Sequence, residues 1–211
     1  MISRACILAV AALLSGCIIF DQKSEAVVFH QFAAPGAPSS AVATGPQVFV
    51  PRAVIPSALR RPNVVLLDEN GWVLVEDAHR WIAPLDRAIP ETVARHLAVR
   101  AGIVTTTQTP SEDHVVLLLT VDKMEVVAPA GKERSIFSLP GGVDKSATAA
   151  LQMTCRLEKS DGTLIGAKTL TQSRALDDRT PASFVQAQSA NLGALSGELS
   201  EWLRTNLSPS K

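Results

Sequence analysis

The sequence has little that would mark a catalytic or nucleic-acid-binding protein. It has no surplus of charge, since 20 lysines and arginines stand against 20 aspartates and glutamates in 211 residues. A balance this even leaves no electrostatic footprint for nucleic acid or for an anionic membrane surface. Cysteine is scarce: Cys6 and Cys17 lie in the N-terminal stretch and Cys155 stands alone. Once the N-terminal pair is set aside, no disulfide can form within the folded part. The four histidines, His30, His79, His96 and His114, are scattered, with no H-x-x-x-H pair and no cysteine at ligand spacing, so no metal site and no cofactor are expected. There is no G-x-S-x-G elbow. Gly141-Gly142-Val143-Asp144-Lys145-Ser146 falls short of a P-loop, because Asp144 stands where a glycine must precede the lysine and a strand follows instead of a helix. Asp77 with His79 and Asp113 with His114 offer acid–base partners, but no nucleophile stands beside either, and they read as surface residues. The chain is not expected to be an enzyme.

What is present begins at the N-terminus. Arg4 precedes an apolar run from Ala5 to Leu14, too short to cross about 30 Å of hydrocarbon as a helix but suited to the core of a signal peptide. The run ends in Leu14-Ser15-Gly16-Cys17, which resembles the lipobox of bacterial lipoproteins. That resemblance implies cleavage before Cys17 and acylation of its thiol and new amino group. Residues 1–16 would be the signal peptide, 17–25 a lipidated tether and 26–207 one domain. An ordinary signal peptide with an incidental cysteine, or an uncleaved anchor, are the alternatives. Beyond residue 18 no apolar run reaches the about 18 residues of a membrane-spanning helix, so attachment has to come from the lipid.

Within the domain, Ala26 to Phe32 has the β-branched and aromatic content of a first strand. Residues 33–46, rich in Ala, Pro, Gly and Ser, read as a linker. Gln47 to Val50 is a short extended piece, and Ile55 to Arg61, bounded by prolines, a turn or single helical turn over a sheet edge. Asn63–Leu67 and Trp72–Glu76 flank Asp68-Glu69-Asn70-Gly71, the plainest hairpin signal in the chain. Ile82, Leu85, Ile89, Val93 and Leu97 then form a helical stripe closed by Gly102, in which Pro84 suits a first turn and Pro90 should kink or split the helix.

His114–Val127 is a long strand. Ala147–Lys159 and Thr163–Leu176 pair around Ser160-Asp161-Gly162. Alternation along Ala149, Leu151, Met153, Cys155 and Leu157 buries Cys155 as an inert thiol. Thr180 and Pro181 open a last helix whose Phe184, Ala187, Leu192, Leu195, Leu199 and Trp202 share one face. The expected fold is α+β: a largely antiparallel sheet of hairpins with two amphipathic helices packed on one face.

The order of these pieces resembles one family. Ile55-Pro56-Ser57-Ala58-Leu59-Arg60-Arg61-Pro62 before Asn63–Leu67, then Glu76-Asp77-Ala78-His79-Arg80-Trp81-Ile82-Ala83-Pro84-Leu85, and finally Phe184 to Leu203, are similar to the ABC-transport auxiliary lipoproteins of the paraquat-inducible protein C type. The resemblance spans residues 17–207. It departs where the family usually has Tyr at the place of Ala58, Asp at that of Arg60 and no proline at that of Pro90. It implies a periplasm-facing lipoprotein, usually on the outer membrane, that works with an MCE-type substrate-binding protein and an inner-membrane ABC transporter or permease to move lipids. Ile18 after Cys17 fits outer-membrane placement, because inner-membrane retention typically needs Asp there and the first one is Asp21. A structural or assembly lipoprotein unrelated to transport, or an envelope hydrolase using His79 or His114, are the other readings.

Three features offer candidate partner contacts. Arg80 and Trp81 enter the first helix, though a tryptophan there is more simply core, as are Trp72 and Trp202. The connection 128–146 carries an apolar cluster, Ile136, Phe137 and Leu139, and is longer than a compact domain keeps without a use. On the last helix Gly193 and Gly197, with Ser189 and Ser200, form a small-residue face opposite the buried one. It suits close approach by a second copy, a partner or the first helix of the same chain.

Overall fold

The computed structural model describes residues 26–36, 46–67, 71–127, 147–178 and 180–207. The lipobox with Cys17, the tether, residues 37–45 of the linker, the turn residues 68–70 and the cluster Ile136, Phe137 and Leu139 all lie outside them.

The fold is α+β, with two mixed sheets in place of one largely antiparallel sheet. Five strands, β2 (Gln47–Phe49), β5 (Thr105–Thr106), β6 (His114–Val127), β7 (Thr148–Lys159) and β8 (Leu164–Ala175), lie in the order β5-β2-β6-β7-β8. β1 (Val28–His30), β4 (Val73–Trp81) and β3 (Asn63–Leu67) form the second sheet in the order β1-β4-β3. The three pairings that join consecutive hairpin strands are antiparallel, as their turns require. β1 runs parallel to β4, and β2 parallel to both β5 and β6. The first strand is therefore much shorter than Ala26 to Phe32, and the extended piece at Gln47 is a true strand.

Gly162 at φ +85° closes the β7–β8 turn, where its amide donates to the Lys159 carbonyl at 2.9 Å. Along β7 the residues Ala149, Leu151, Met153, Cys155 and Leu157 are all buried, whereas the intervening side chains are half-buried or exposed. That alternation gives the large sheet one covered face. The cover is α2 (Pro181–Leu207), which lies on β7 and β8, and α1 (Leu85–Ala101), which packs on α2 and β5.

Both helices start and stop for local reasons. Pro84 caps α1, and Gly102, at φ 62°, ends it in the left-handed conformation with its amide turned back to the Ala98 carbonyl. The Thr180 hydroxyl accepts from the Ser183 amide at 3.2 Å, as an N-cap should. Phe184, Leu192, Leu195, Leu199 and Leu203 of α2 fill the core with Ile89, Val93 and Leu97 of α1. Two buried polar groups on α2 are satisfied by strand carbonyls: Asn191 Nδ2 donates to Ala149 at 2.8 Å and Gln188 Nε2 to Ala150 at 3.0 Å.

Pro90 neither splits α1 nor goes uncompensated. A helical proline supplies no N–H to the carbonyl four residues back. Here that carbonyl belongs to Asp86, and it accepts from the Ala53 amide at 2.8 Å. The acceptor left free by Pro90 thus ties the segment after β2 to the helix.

Candidate functional site

That segment is one wall of a groove. Residues 52–62 leave β2 and run beside β6, where the Val54 amide donates to the Leu119 carbonyl at 2.9 Å and the Val54 carbonyl accepts from Val121 at 2.8 Å. A 3-10 turn at Ser57–Leu59 then swings the chain towards β3 and buries Leu59. The opposite wall is Trp81 to Asp86, the turn from β4 into α1. It is held by the Trp81 amide on the Pro62 carbonyl at 2.7 Å and the Ile82 amide on the His30 carbonyl at 2.9 Å. The space between is about 580 Å³, within the roughly 300–1,000 Å³ of clefts that hold small ligands.

The groove has an apolar floor and a cationic rim. Ile55, Leu59, Trp81 and Leu85 line it from below and are buried, Trp81 against Phe32 with ring centroids 5.0 Å apart. Val54 and Ile82 stand on the walls at 59% and 65% exposure. Single exposed apolar residues mean little; two facing across one cleft define an apolar mouth. Three guanidiniums surround it. Arg52 reaches Asp86 at 3.4 Å. Arg60 and Arg61 are exposed and pair with no carboxylate among the described residues.

The residues singled out from sequence divide sharply here. Ile55–Pro62 and Trp81–Leu85, far apart in the chain, meet as the two walls. Trp81 is core, as the simpler reading held. Arg80 is exposed, but it belongs to β4 and stands in register with Phe29 and Asn63; the strand runs on to Trp81 and the helix begins only at Leu85. Trp72 is no core residue, being 63% exposed, while Trp202 is partly buried against the core. Gly193 and Gly197 face α1 of the same chain. A Cβ on Gly193 would lie 3.4 Å from His96 Cε1 and one on Gly197 3.7 Å from Arg100 Nη1, and Arg100 donates to the Gly193 carbonyl at 3.0 Å. At these two positions the small-residue face admits side chains of α1 of the same chain, one of the uses open to it from the sequence.

Cys155 is fully buried, and burial pushes its thiol up to about 12. It has no nucleophilic use at neutral pH. The acid–base pairs read from sequence are turned elsewhere: His114 Nδ1 lies 2.7 Å from the Ser111 carbonyl and His79 Nδ1 2.8 Å from His30 Nε2. The His30–His79 pair, stacked with centroids 5.1 Å apart, was not visible in the sequence, because it depends on the parallel pairing of β1 with β4. A second hollow of about 790 Å³ lies between the helices beside Gln31–Gly36, with His96, Arg100 and Ser189 on its lining. Burial, then the charges of Arg100 and Arg95, holds His96 below the usual histidine range.

A family model described as "ABC-type transport auxiliary lipoprotein component" matches residues 30–200, from β1 to the last turns of α2. The chain belongs to this family. Both walls of the groove fall within the matched region. Among solved structures, protein XCC0632 from Xanthomonas campestris, of family DUF330, is similar at 16% identity and a TM-score of 0.67, over 85% of this chain and 96% of that one. The crystal structure of an uncharacterized protein is similar at 15% identity and a TM-score of 0.63, over 85% of this chain and 99% of that one. At such identities the likeness is one of fold. A search of curated proteins returns no match. Among the described residues no helix is long and apolar enough to cross a membrane.

Proposed function

We propose that this lipoprotein-family chain is a non-catalytic accessory of an envelope lipid-transport system, held by acylated Cys17 at the periplasmic face of the outer membrane. It works there beside an MCE-domain protein and an inner-membrane ABC transporter or permease. The observation that carries the reading is the family match over residues 30–200, and the geometry supports it. The groove between residues 52–62 and 81–86 offers apolar surface and two guanidiniums that pair with no carboxylate among the described residues, a chemistry suited to binding. Two or three acyl chains on Cys17, at about 0.8 kcal/mol per buried CH₂, would anchor the domain far more firmly than a single chain does.

Two measurements test this. Cys17→Ala should leave uncleaved precursor or soluble protein after a carbonate wash of membranes. Retention of the processed variant at the wild-type level would rule out the lipid anchor. Cross-linking in cells, followed by capture of the wild-type chain, should recover an MCE-domain protein; recovery of envelope assembly factors alone would remove the transport role.

A further inference from the structure

We propose that the groove between residues 52–62 and 81–86 binds one acyl chain that carries an anionic head. The apolar chain lies on Ile55, Leu59, Trp81 and Leu85 between Val54 and Ile82, and the head is held by Arg60 and Arg61. The proposal rests on the transport reading for the source of such a ligand, but its chemistry comes from the groove alone.

Three observations select this occupant. The first is charge. Arg52 already faces Asp86, whereas Arg60 and Arg61 pair with no carboxylate among the described residues. Two adjacent free guanidiniums beside an apolar mouth favour a carboxylate or phosphate, which a guanidinium meets through two parallel hydrogen bonds. The second is the state of the backbone. A peptide that docks as an added strand needs unpaired main-chain groups. Along these walls the amides of Ala53, Val54, Trp81 and Ile82 are already donated to the Asp86, Leu119, Pro62 and His30 carbonyls, and Pro62 and Pro84 have no amide. These four amides give no continuous ladder to an added strand, which favours recognition by side chains and suits a ligand with no backbone of its own. The third is burial: a chain laid here takes its own apolar surface and that of the exposed Val54 and Ile82 out of water, and the floor beneath it is already locked in the core and needs no further ordering.

The test uses the full-length lipidated protein in phosphatidylcholine nanodiscs and a diazirine-bearing palmitate delivered from cyclodextrin, with labelled positions read by peptide mass spectrometry. Saturable labelling within residues 52–62 and 81–86 is expected. Arg60→Glu combined with Arg61→Glu should reduce it at least about tenfold, the scale of one charge-assisted hydrogen bond. Ile82→Asp, at an exposed site, should reduce it similarly without changing the unfolding temperature. Competition identifies the head: displacement by palmitate alone assigns a carboxylate, and displacement by lysophosphatidate alone a phosphate. Equal labelling by the methyl ester of the probe overturns the proposal, as does labelling spread along the chain without saturation. Loss of partner capture in the arginine variant, with no labelling of the groove, also overturns it and gives the groove to an acidic protein segment. Carbonate-washed retention and MCE-protein capture, followed on the same variants, report on the transport reading independently.

Discussion

The Ala53 amide lies 2.8 Å from the Asp86 carbonyl, the acceptor that Pro90 leaves without its helical donor. A proline in the sixth position of α1 would ordinarily cost about 3 kcal/mol relative to alanine, partly through that lost bond and partly because its ring presses on the same carbonyl. Both effects turn the Asp86 carbonyl outward, and the segment after β2 uses it. Arg52, one residue earlier, reaches the Asp86 side chain. One residue of α1 therefore holds a groove wall through its backbone and its carboxylate.

Pro90→Ala gives the helix an amide that competes for this carbonyl. The helix should gain, so the unfolding temperature should not fall. The wall should loosen, and hydrogen exchange at the Ala53 amide should speed about three- to tenfold, the value of one ordinary hydrogen bond. Unchanged protection at Ala53 would show that the carbonyl serves both donors and that the proline has no part in fixing the wall.

The elements legible in the sequence were those whose signal is local. The β7–β8 hairpin follows from period-two alternation and an Asp-Gly turn, β6 from its long apolar run, and α1 and α2 from their apolar stripes and terminal residues; the pairing of β6 with β7, across a long connection, does not. The parallel pairings were not legible. β1 meets β4 through the pairs Val28 with His79, Phe29 with Arg80 and His30 with Trp81, far apart in the chain, and strands of two or three residues have too few positions to show a period. From sequence Arg80 and Trp81 enter the helix, because Trp81 stands next to the apolar stripe of Ile82 and Leu85. The structure shows that this stripe joins the end of a strand to the start of a helix. The site was half legible: both walls stood out as motifs, but only the fold sets them facing each other.

The glycines of α2 give a test of how that helix is packed. Gly197→Ala should stabilise by up to about 1 kcal/mol, because its Cβ meets only the end of Arg100 and the helix loses a flexible residue. Gly193→Leu must push into His96 and should cost about 1–3 kcal/mol as overpacking. Chemical denaturation of the two variants checks this. A stable Gly193→Leu variant with altered self-association would instead place the glycine face between copies of the chain.

Cys155 predicts an alkaline loss of stability. Burial raises its folded pKa from 9.0 to about 12. Between those values the unfolded thiol gives up its proton and the folded one does not, so stability falls with rising pH, by up to about 1.4 kcal/mol per unit. Lysines titrate in the same window, and the useful quantity is the difference from Cys155→Ala. The variant should show a shallower fall, and parallel curves would mean that the folded thiol ionises normally. The native thiol should also resist maleimide at pH 7 until the protein unfolds.

The histidine pair predicts an acid effect confined to β1. Burial, and then the charge of His79, hold the pKa of His30 below 6.5. As pH falls from 6.5 towards that lowered value the unfolded chain takes up a proton that the folded chain refuses, so the pair's stabilisation is present above 6.5 and is lost on acidification. The geometry points the same way. A 2.8 Å contact between His30 Nε2 and His79 Nδ1 needs one nitrogen to donate and the other to accept, and double protonation leaves two donors face to face. Only three residue pairs join β1 to β4, with the Ile82 amide on the His30 carbonyl closing the end, so opening should be local. Hydrogen-exchange protection at the Ile82 amide should fall between pH 7 and 5, while protection in β7 stays constant. His96, buried between α1 and α2, shifts in the same direction and contributes to any global acid loss, which is why the local readout is the informative one. His30→Gln keeps a hydrogen-bonding side chain without the titration, and it should flatten the pH dependence of protection at Ile82. The same loss of protection in that variant would assign the opening to other groups.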